Sequence, residues 1–287
     1  MTTLRYIRMH GCGNDYVFID GLTQSPPAHP EALARRLSDR HRSVGGDGLV
    51  LMLPSTRPDC HARMRMFNAD GSEGSLCGNA LRCMALWLHN AGHAPACLSI
   101  EMNGRSIAAE ILSSKAQSPL SGNVRITLAT PQKLTPYLPP PDCFTRPAEL
   151  PDVHVPGLLF PALEADPGNP HVVFFVRHLS ELPFEQLGPV IERHPAFPNR
   201  TNVEFAECIQ PNEFRVRVWE RGSAETQACG SGACAVALAA TSLQLTDPSR
   251  PVHVQMTGGL LCVRLQSDGT LQLEGLAEEC CQGLIHL

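Results

Sequence analysis

A chain of 287 residues divides into about two domains of ordinary size and is long enough to build a sizeable core without disulfide staples. Hydrophobic residues make up 43% and charged residues 18%, with a mean hydropathy of −0.09, a composition that folds rather than stays disordered. Twenty-three Lys and Arg against 28 Asp and Glu leave a net charge of −5, which repels a phosphate backbone and excludes nucleic acid as an expected partner. The longest uninterrupted apolar run, Ala233 to Ala240, falls well short of the roughly 18 residues that span a bilayer. Met1 to Gly11 has no hydrophobic leader core, so no membrane partner and a cytoplasmic location are expected. The 12 cysteines are too dilute for a disulfide scaffold and read as thiols in a reducing compartment.

In chain order, Gly13-Asn14 leads into an apolar strand at Tyr16 to Ile19, and a glycine-rich turn, Gly45-Gly46-Asp47-Gly48, leads into a second at Leu49 to Met52. A polar loop at Gly71-Ser72 then precedes Cys77 and a helix expected over Gly78 to about Asn90, ending at Gly92. Eleven of the 25 prolines fall between Pro131 and Pro170, which reads as a linker or connecting arm, since proline blocks helix and central strand alike. Beyond it the order returns. Gly168-Asn169 leads into a strand at Val172 to Val176, and Gly222-Ser223 precedes Cys229 and a helix over Gly230 to about Leu243.

The spacings match. Asn14 stands 63 residues before Cys77 and Asn169 stands 60 before Cys229. An internal duplication follows, with two pseudo-symmetric α/β domains and a cleft between them as the economical architecture. Each cysteine opens a helix, where unpaired N–H groups and the positive end of the macrodipole are expected to lower a thiol's pKa. Gly78 and Gly230 allow close approach to the backbone there, while Asn79 and Ser231 complete a pocket for a carboxylate. A single cysteine of this kind is most often a small buried hydrophobe. Two of them supply a base and an acid for opposite faces of one carbon, the requirement for inverting a stereocentre. No Schiff-base lysine motif stands out to supply an electron sink. There is no Cys-x-x-Cys, and His89 and His93 straddle the helix stop at Gly92, so no metal and no cofactor are expected.

Three stretches carry a resemblance: Met9-His10-Gly11-Cys12-Gly13-Asn14-Asp15-Tyr16; Phe67-Asn68-Ala69-Asp70-Gly71-Ser72 with Cys77-Gly78-Asn79-Ala80-Leu81-Arg82; and Glu220-Arg221-Gly222 with Thr226-Gln227-Ala228-Cys229-Gly230-Ser231-Gly232. Together with Gly168-Asn169-Pro170-His171 and Arg200-Thr201-Asn202-Val203, they resemble the diaminopimelate epimerase family. The resemblance implies a cofactor-independent interconversion of LL- and meso-2,6-diaminoheptanedioate in lysine and peptidoglycan-precursor biosynthesis. It implies Cys77 and Cys229 as the acid–base thiols, assisted by His171 and Glu220. It also implies Asn14, Asn68, Gly78, Asn79, Asn169, Asn202, Glu220, Arg221, Gly230 and Ser231 as substrate contacts. By the same resemblance each domain is a mixed sheet curled around a central helix, with the active site in the interdomain cleft, and the protein is a homodimer. The domains would be 1–125, completed by about 272–287, and 126–271, the latter opening on the arm at 131–170. Gly48 departs from relatives that carry a glutamine contact at that position. Racemases acting on histidine or proline share the thiol pair, a non-catalytic relative would share the fold, and a redox sensor would join the two thiols. Arg221, Asn68 and Asn202 favour a substrate with a second amino-acid end.

Overall fold

The computed structural model describes residues 3–74, 76–115, 120–128 and 145–286. Residues 131–144 of the proline-rich stretch therefore lie outside the described residues. The elements begin β1 (Thr3–Gly11), β2 (Asn14–Asp20), α1 (Pro30–Ser38), β3 (Gly48–Leu53), β4 (Ala62–Asn68), α2 (Gly78–Asn90), β5 (Cys97–Met102), β6 (Arg105–Lys115) and β7 (Ser121–Leu128). They continue β8 (Thr145–Pro147), β9 (Leu163–Ala165), β10 (His171–Val176), α3 (Phe184–Glu192), β11 (Asn202–Gln210), β12 (Glu213–Glu220), β13 (Ala224–Glu225), α4 (Gly230–Ser242), β14 (Val252–Met256), β15 (Gly259–Leu265) and β16 (Leu271–His286). Contacts divide the chain into two compact units, Met1–Thr127 with Glu274–Leu287, and Leu128–Leu273.

In the first unit the strands run in order from β1 to β7, then to β16, which pairs back onto β1. The sheet thus closes on itself around α2. Only β2 with β3 and β4 with β5 are parallel among the pairs from β1 to β7. Every residue of β2 and β3 is buried, because α2 covers one face and α1 the other. Leu33, Ala34 and Leu37 of α1, at helical spacing, pack on Val17, Ile19, Leu49, Leu51 and Phe67.

The second unit repeats that topology: β10 with β11 and β12 with β14 are parallel, and β9, β11/β12 and β14/β15 pair antiparallel as their counterparts do. Helix α4 takes the place of α2. Its run Ala233-Cys234-Ala235-Val236-Ala237-Leu238-Ala239-Ala240 is buried all round, and its small side chains let strands approach from several sides. Outside, Phe184 and Ile191 of α3 pack on Val172, Phe174, Val203 and Phe205. Each large apolar side chain so buried contributes about 1.5–3 kcal/mol.

From Thr145 onward the proline-rich stretch, read as a linker or connecting arm, carries two short strands. There β8 pairs with β9, and β9 with β10, at the end of the sheet order. Proline is tolerated there because β8, which carries Pro147, is an edge strand. The helices expected after Cys77 and Cys229 form as read, whereas α1 and α3 carried no expectation.

Candidate active site

Cys77 caps α2 with an extended backbone (φ −138°), and its Sγ accepts the Ala80 N–H at 3.4 Å. The hydroxyl of Tyr16, projecting from β2, lies 3.2 Å from the same sulfur. Asn79 is buried, and its Oδ1 accepts Nη2 of Arg82 at 2.7 Å. A guanidinium only donates, so this contact fixes which way the Asn79 amide points. Arg82 has no exposed surface and also donates to Cys12 Sγ at 3.6 Å. Asn14 is buried at the start of β2. Its neighbour Asp15 binds Arg40 and Arg8; burial would raise its carboxyl, but the two guanidinium groups together hold it below the usual range. Asn68 ends β4, and its Nδ2 donates to Ser72 Oγ at 2.9 Å, bracing the Gly71 turn on the way to Cys77. Gly48 lies opposite Asn68, where a Cβ would meet the Phe67 carbonyl oxygen at 2.3 Å. In this chain a side chain at Gly48 would therefore require the neighbouring β4 backbone to shift.

Cys229 caps α4 in the same way: its Sγ accepts the Gly232 N–H at 3.3 Å and lies 3.4 Å from Ser231 Oγ. His171 Nδ1 is 2.7 Å from Glu204 Oε1, with neither side chain exposed. His171 Nε2 is 3.1 Å from Asn169 Oδ1. A Cβ at Gly232 would stand 2.7 Å from Glu204 Oε1, so the glycine admits the carboxylate to the first turn of α4. Glu220 accepts the Thr226 hydroxyl at 2.5 Å, and burial raises its carboxyl pKa despite that bond. Burial also pushes the Cys229 thiol well above the usual cysteine range, and the Glu220 and Glu204 carboxylates push it the same way. The Ser231 hydroxyl and Gly232 N–H only partly oppose them. The expectation of a lowered thiol pKa is thus corrected at Cys229: the helix terminus is present, but burial and two carboxylates outweigh it.

Asn202 joins the rest. Its Nδ2 donates to the Pro170 carbonyl at 2.8 Å and its Oδ1 accepts the Arg221 N–H at 2.9 Å. Arg221 is exposed and anchored by Nη1 on Asn199 O at 3.0 Å. In the first unit Cys77, Gly78 and Asn79 open α2, while Asn14 starts β2 and Asn68 ends β4. In the second Cys229, Gly230 and Ser231 open α4 with Glu220 acting on both Cys229 and His171, His171 meets Asn169, and Asn202 links Pro170 to Arg221. Sequence reasoning missed Glu204, Arg82 and Glu192 as supports. Glu204 and Arg82 are each a lone charge inside an apolar run, Val203-Glu204-Phe205-Ala206 and Ala80-Leu81-Arg82-Cys83-Met84, which is the signal that could have found them. Among the described residues no group of three His, Cys, Asp or Glu side chains could hold a metal ion.

Solved structures share this architecture. A predicted epimerase from Pseudomonas aeruginosa superposes with a TM-score of 0.69 at 16% identity, over 99% of both chains. A hydroxyproline epimerase from Agrobacterium vitis gives 0.65 at 14% identity, over 99% of this chain and 91% of that one. These likenesses define the class by fold: a duplicated mixed sheet, each half curled about a central helix. Sequence defines the family. A profile described as diaminopimelate epimerase matches residues 6–127 and 165–278. The diaminopimelate epimerase of Desulforudis audaxviator is 43% identical over 290 residues, covering 98% of each chain, and that of Pelotomaculum thermopropionicum 38% identical over 287, again 98% of each. The chain belongs to the diaminopimelate epimerase family, and so to the isomerases.

Proposed function

We propose that this chain interconverts LL- and meso-diaminopimelate without an organic cofactor, with Cys77 and Cys229 as the acid–base pair. The observation that carries the reading is the duplication itself: one thiol caps the central helix of each unit, accepting the N–H three residues on. One thiolate would take the α-proton as the C–H bond breaks, and the other thiol would return a proton to the opposite face. In the reverse direction the roles exchange. The α-carbanion is made accessible by donors on the α-carboxylate, for which the N–H groups of Gly78, Asn79, Gly230 and Ser231 are suited; each well-placed donor is worth about 3 kcal/mol in the transition state. Arg221, Asn202, Asn68 and Asn14 are assigned to the distal amino-acid end, with His171, Glu220 and Asn169 beside the second thiol. A role in lysine and peptidoglycan-precursor synthesis, a cytoplasmic location and a homodimer belong to the same reading. No described helix is long and apolar enough to cross a membrane.

The test is solvent exchange. Protein incubated with LL-diaminopimelate in D₂O should put deuterium on the α-carbon and yield the meso form. Cys77→Ala and Cys229→Ala should each lose at least about 10³-fold in epimerisation while keeping the native circular dichroism. Near-normal epimerisation by either variant, or exchange with proline or histidine in place of diaminopimelate, would overturn the reading.

A further inference from the structure

Strand register makes the two halves comparable residue by residue. In the first unit β2 and β3 run parallel with Tyr16 opposite Gly48; in the second β10 and β11 run parallel with His171 opposite Asn202. Tyr16 therefore occupies, in its own unit, the position that His171 occupies in the other. It is also two residues beyond Asn14, as His171 is two beyond Asn169. The equivalence extends to the sulfur atoms. Cys229 has a backbone N–H at 3.3 Å and one hydroxyl, Ser231, at 3.4 Å. Cys77 has a backbone N–H at 3.4 Å, but the residue matching Ser231 is Asn79, whose Oδ1 is engaged by Arg82. The hydroxyl here comes from Tyr16, at 3.2 Å. Tyr16 is only 4% exposed, and its ring stands edge-on to Phe18, so the phenol is held against the thiol by packing rather than by chance on the surface.

We propose that Tyr16 is a further catalytic residue, the hydroxyl partner that serves Cys77 in both of its protonation states. The proposal rests on the reading of Cys77 as an acid–base thiol. A phenol both donates and accepts. When Cys77 is a thiol, its S–H donates to Tyr16 Oη. When it is a thiolate, the O–H turns and donates to sulfur, a charge-assisted bond stronger than the neutral one. As the α-carbon's C–H bond breaks, the proton joins sulfur and the electron pair stays on carbon. The phenol keeps its own proton throughout and only reverses the sense of its hydrogen bond. A residue that could only accept, or only donate, would favour one direction of proton transfer; a hydroxyl suits a group that must alternate.

Tyr16→Phe removes the oxygen and keeps the ring. The readout is alkylation of Cys77 by iodoacetamide, followed by mass spectrometry of the peptide that carries it as a function of pH, alongside kcat/KM for diaminopimelate over the same range. The variant should show a Cys77 alkylation midpoint about one pH unit higher and a kcat/KM about tenfold lower near neutrality, regained on the alkaline side. Installing 3-fluorotyrosine at the same position, a better donor of nearly the same shape, should move the midpoint the other way, and it serves where Tyr16→Phe does not fold. An unchanged midpoint in the phenylalanine variant, or one that fluorination does not lower, overturns the proposal. The alkylation arm needs no substrate, so failure there defeats the role of Tyr16 alone, whereas failure of α-deuterium incorporation by the unsubstituted chain defeats the assigned reaction.

Discussion

Glu204 and His171 are hydrogen-bonded at 2.7 Å with neither side chain exposed, and removing one member of a buried pair strands the other at a cost of about 3–5 kcal/mol. Glu204→Gln is a gentler probe, since an amide oxygen still accepts the Nδ1–H of His171 while the negative charge goes. That charge raises the Cys229 thiol, so its loss should lower the thiol's pKa and speed alkylation of Cys229 at a fixed pH. Turnover should move the opposite way. A hydrogen bond to a charged group is worth about 1.5–3 kcal/mol, so kcat/KM should fall by about 10- to 100-fold as the imidazole loses its anchor. Peptide-resolved alkylation against pH checks the first effect and steady-state kinetics the second; an alkylation midpoint that does not move would show that the carboxylate is electrically irrelevant to the thiol. The cysteines themselves were legible in the sequence because each comes wrapped in a loop–Cys–Gly–helix context that occurs twice. Their protonation was not. A helix terminus is visible in sequence, but the burial and the two carboxylates that outweigh it at Cys229 arrive from β11 and β12.

Helix α3 does more than cover the sheet. Its last residue, Glu192, is buried and accepts the Gly222 N–H at 2.8 Å, the Trp219 indole N–H at 3.3 Å and the Arg200 guanidinium. One carboxylate thereby ties the end of the helix to the loop before Asn202 and to the turn after Arg221, two of the residues assigned to the distal end of the substrate. Glu192→Gln should loosen that turn without touching the thiols, raising KM for diaminopimelate about tenfold while kcat stays within about threefold, a split expected where only uniform binding is lost. A fall in kcat with KM unchanged would assign Glu192 to the reacting centre instead. Sequence reasoning did not see this helix, and Gly188-Pro189 explains why: the pair reads as a helix breaker. In the folded chain a Cβ at Gly188 would meet the Trp219 ring at 2.5 Å, so the glycine is there to let the helix lie flat on the indole. Propensity argued one way, and a contact with a residue 31 positions later decided the other. By contrast α2 and α4 are 13-residue apolar helices with a clear start, and their local pattern was enough.

The closure of the first unit depends on a strand from the far end of the sequence. β16 pairs with β1 from Thr3↔His286 to His10↔Glu278 and neighbours β7, where the Glu279 N–H donates to Leu120 O at 2.7 Å and Arg125 pairs with Glu274 at 2.7 Å. Nothing in the alternation of β16 itself names these partners, since period-2 patterning gives a strand its faces but not its neighbours. Ile285 of this strand is buried in the same cluster as Leu4, Val17 and Leu33, so both its backbone and its side chains complete the unit. A chain ending at residue 273 would leave β1 and β7 as open edges, each with unpaired N–H and C=O groups and no covering element, the usual setting for edge-to-edge aggregation. Such a chain should lose hydrogen-exchange protection in β1 and β7, whereas β10 to β12 and α4, whose pairings lie within the second unit, should stay protected. Adding the 274–287 segment as a peptide should restore protection to β1 in a concentration-dependent way, because a strand that binds only the folded form stabilises it by mass action. Full protection of β1 and β7 in the shortened chain would mean that the ring is held by α2 and its packing alone, and that β16 merely decorates it.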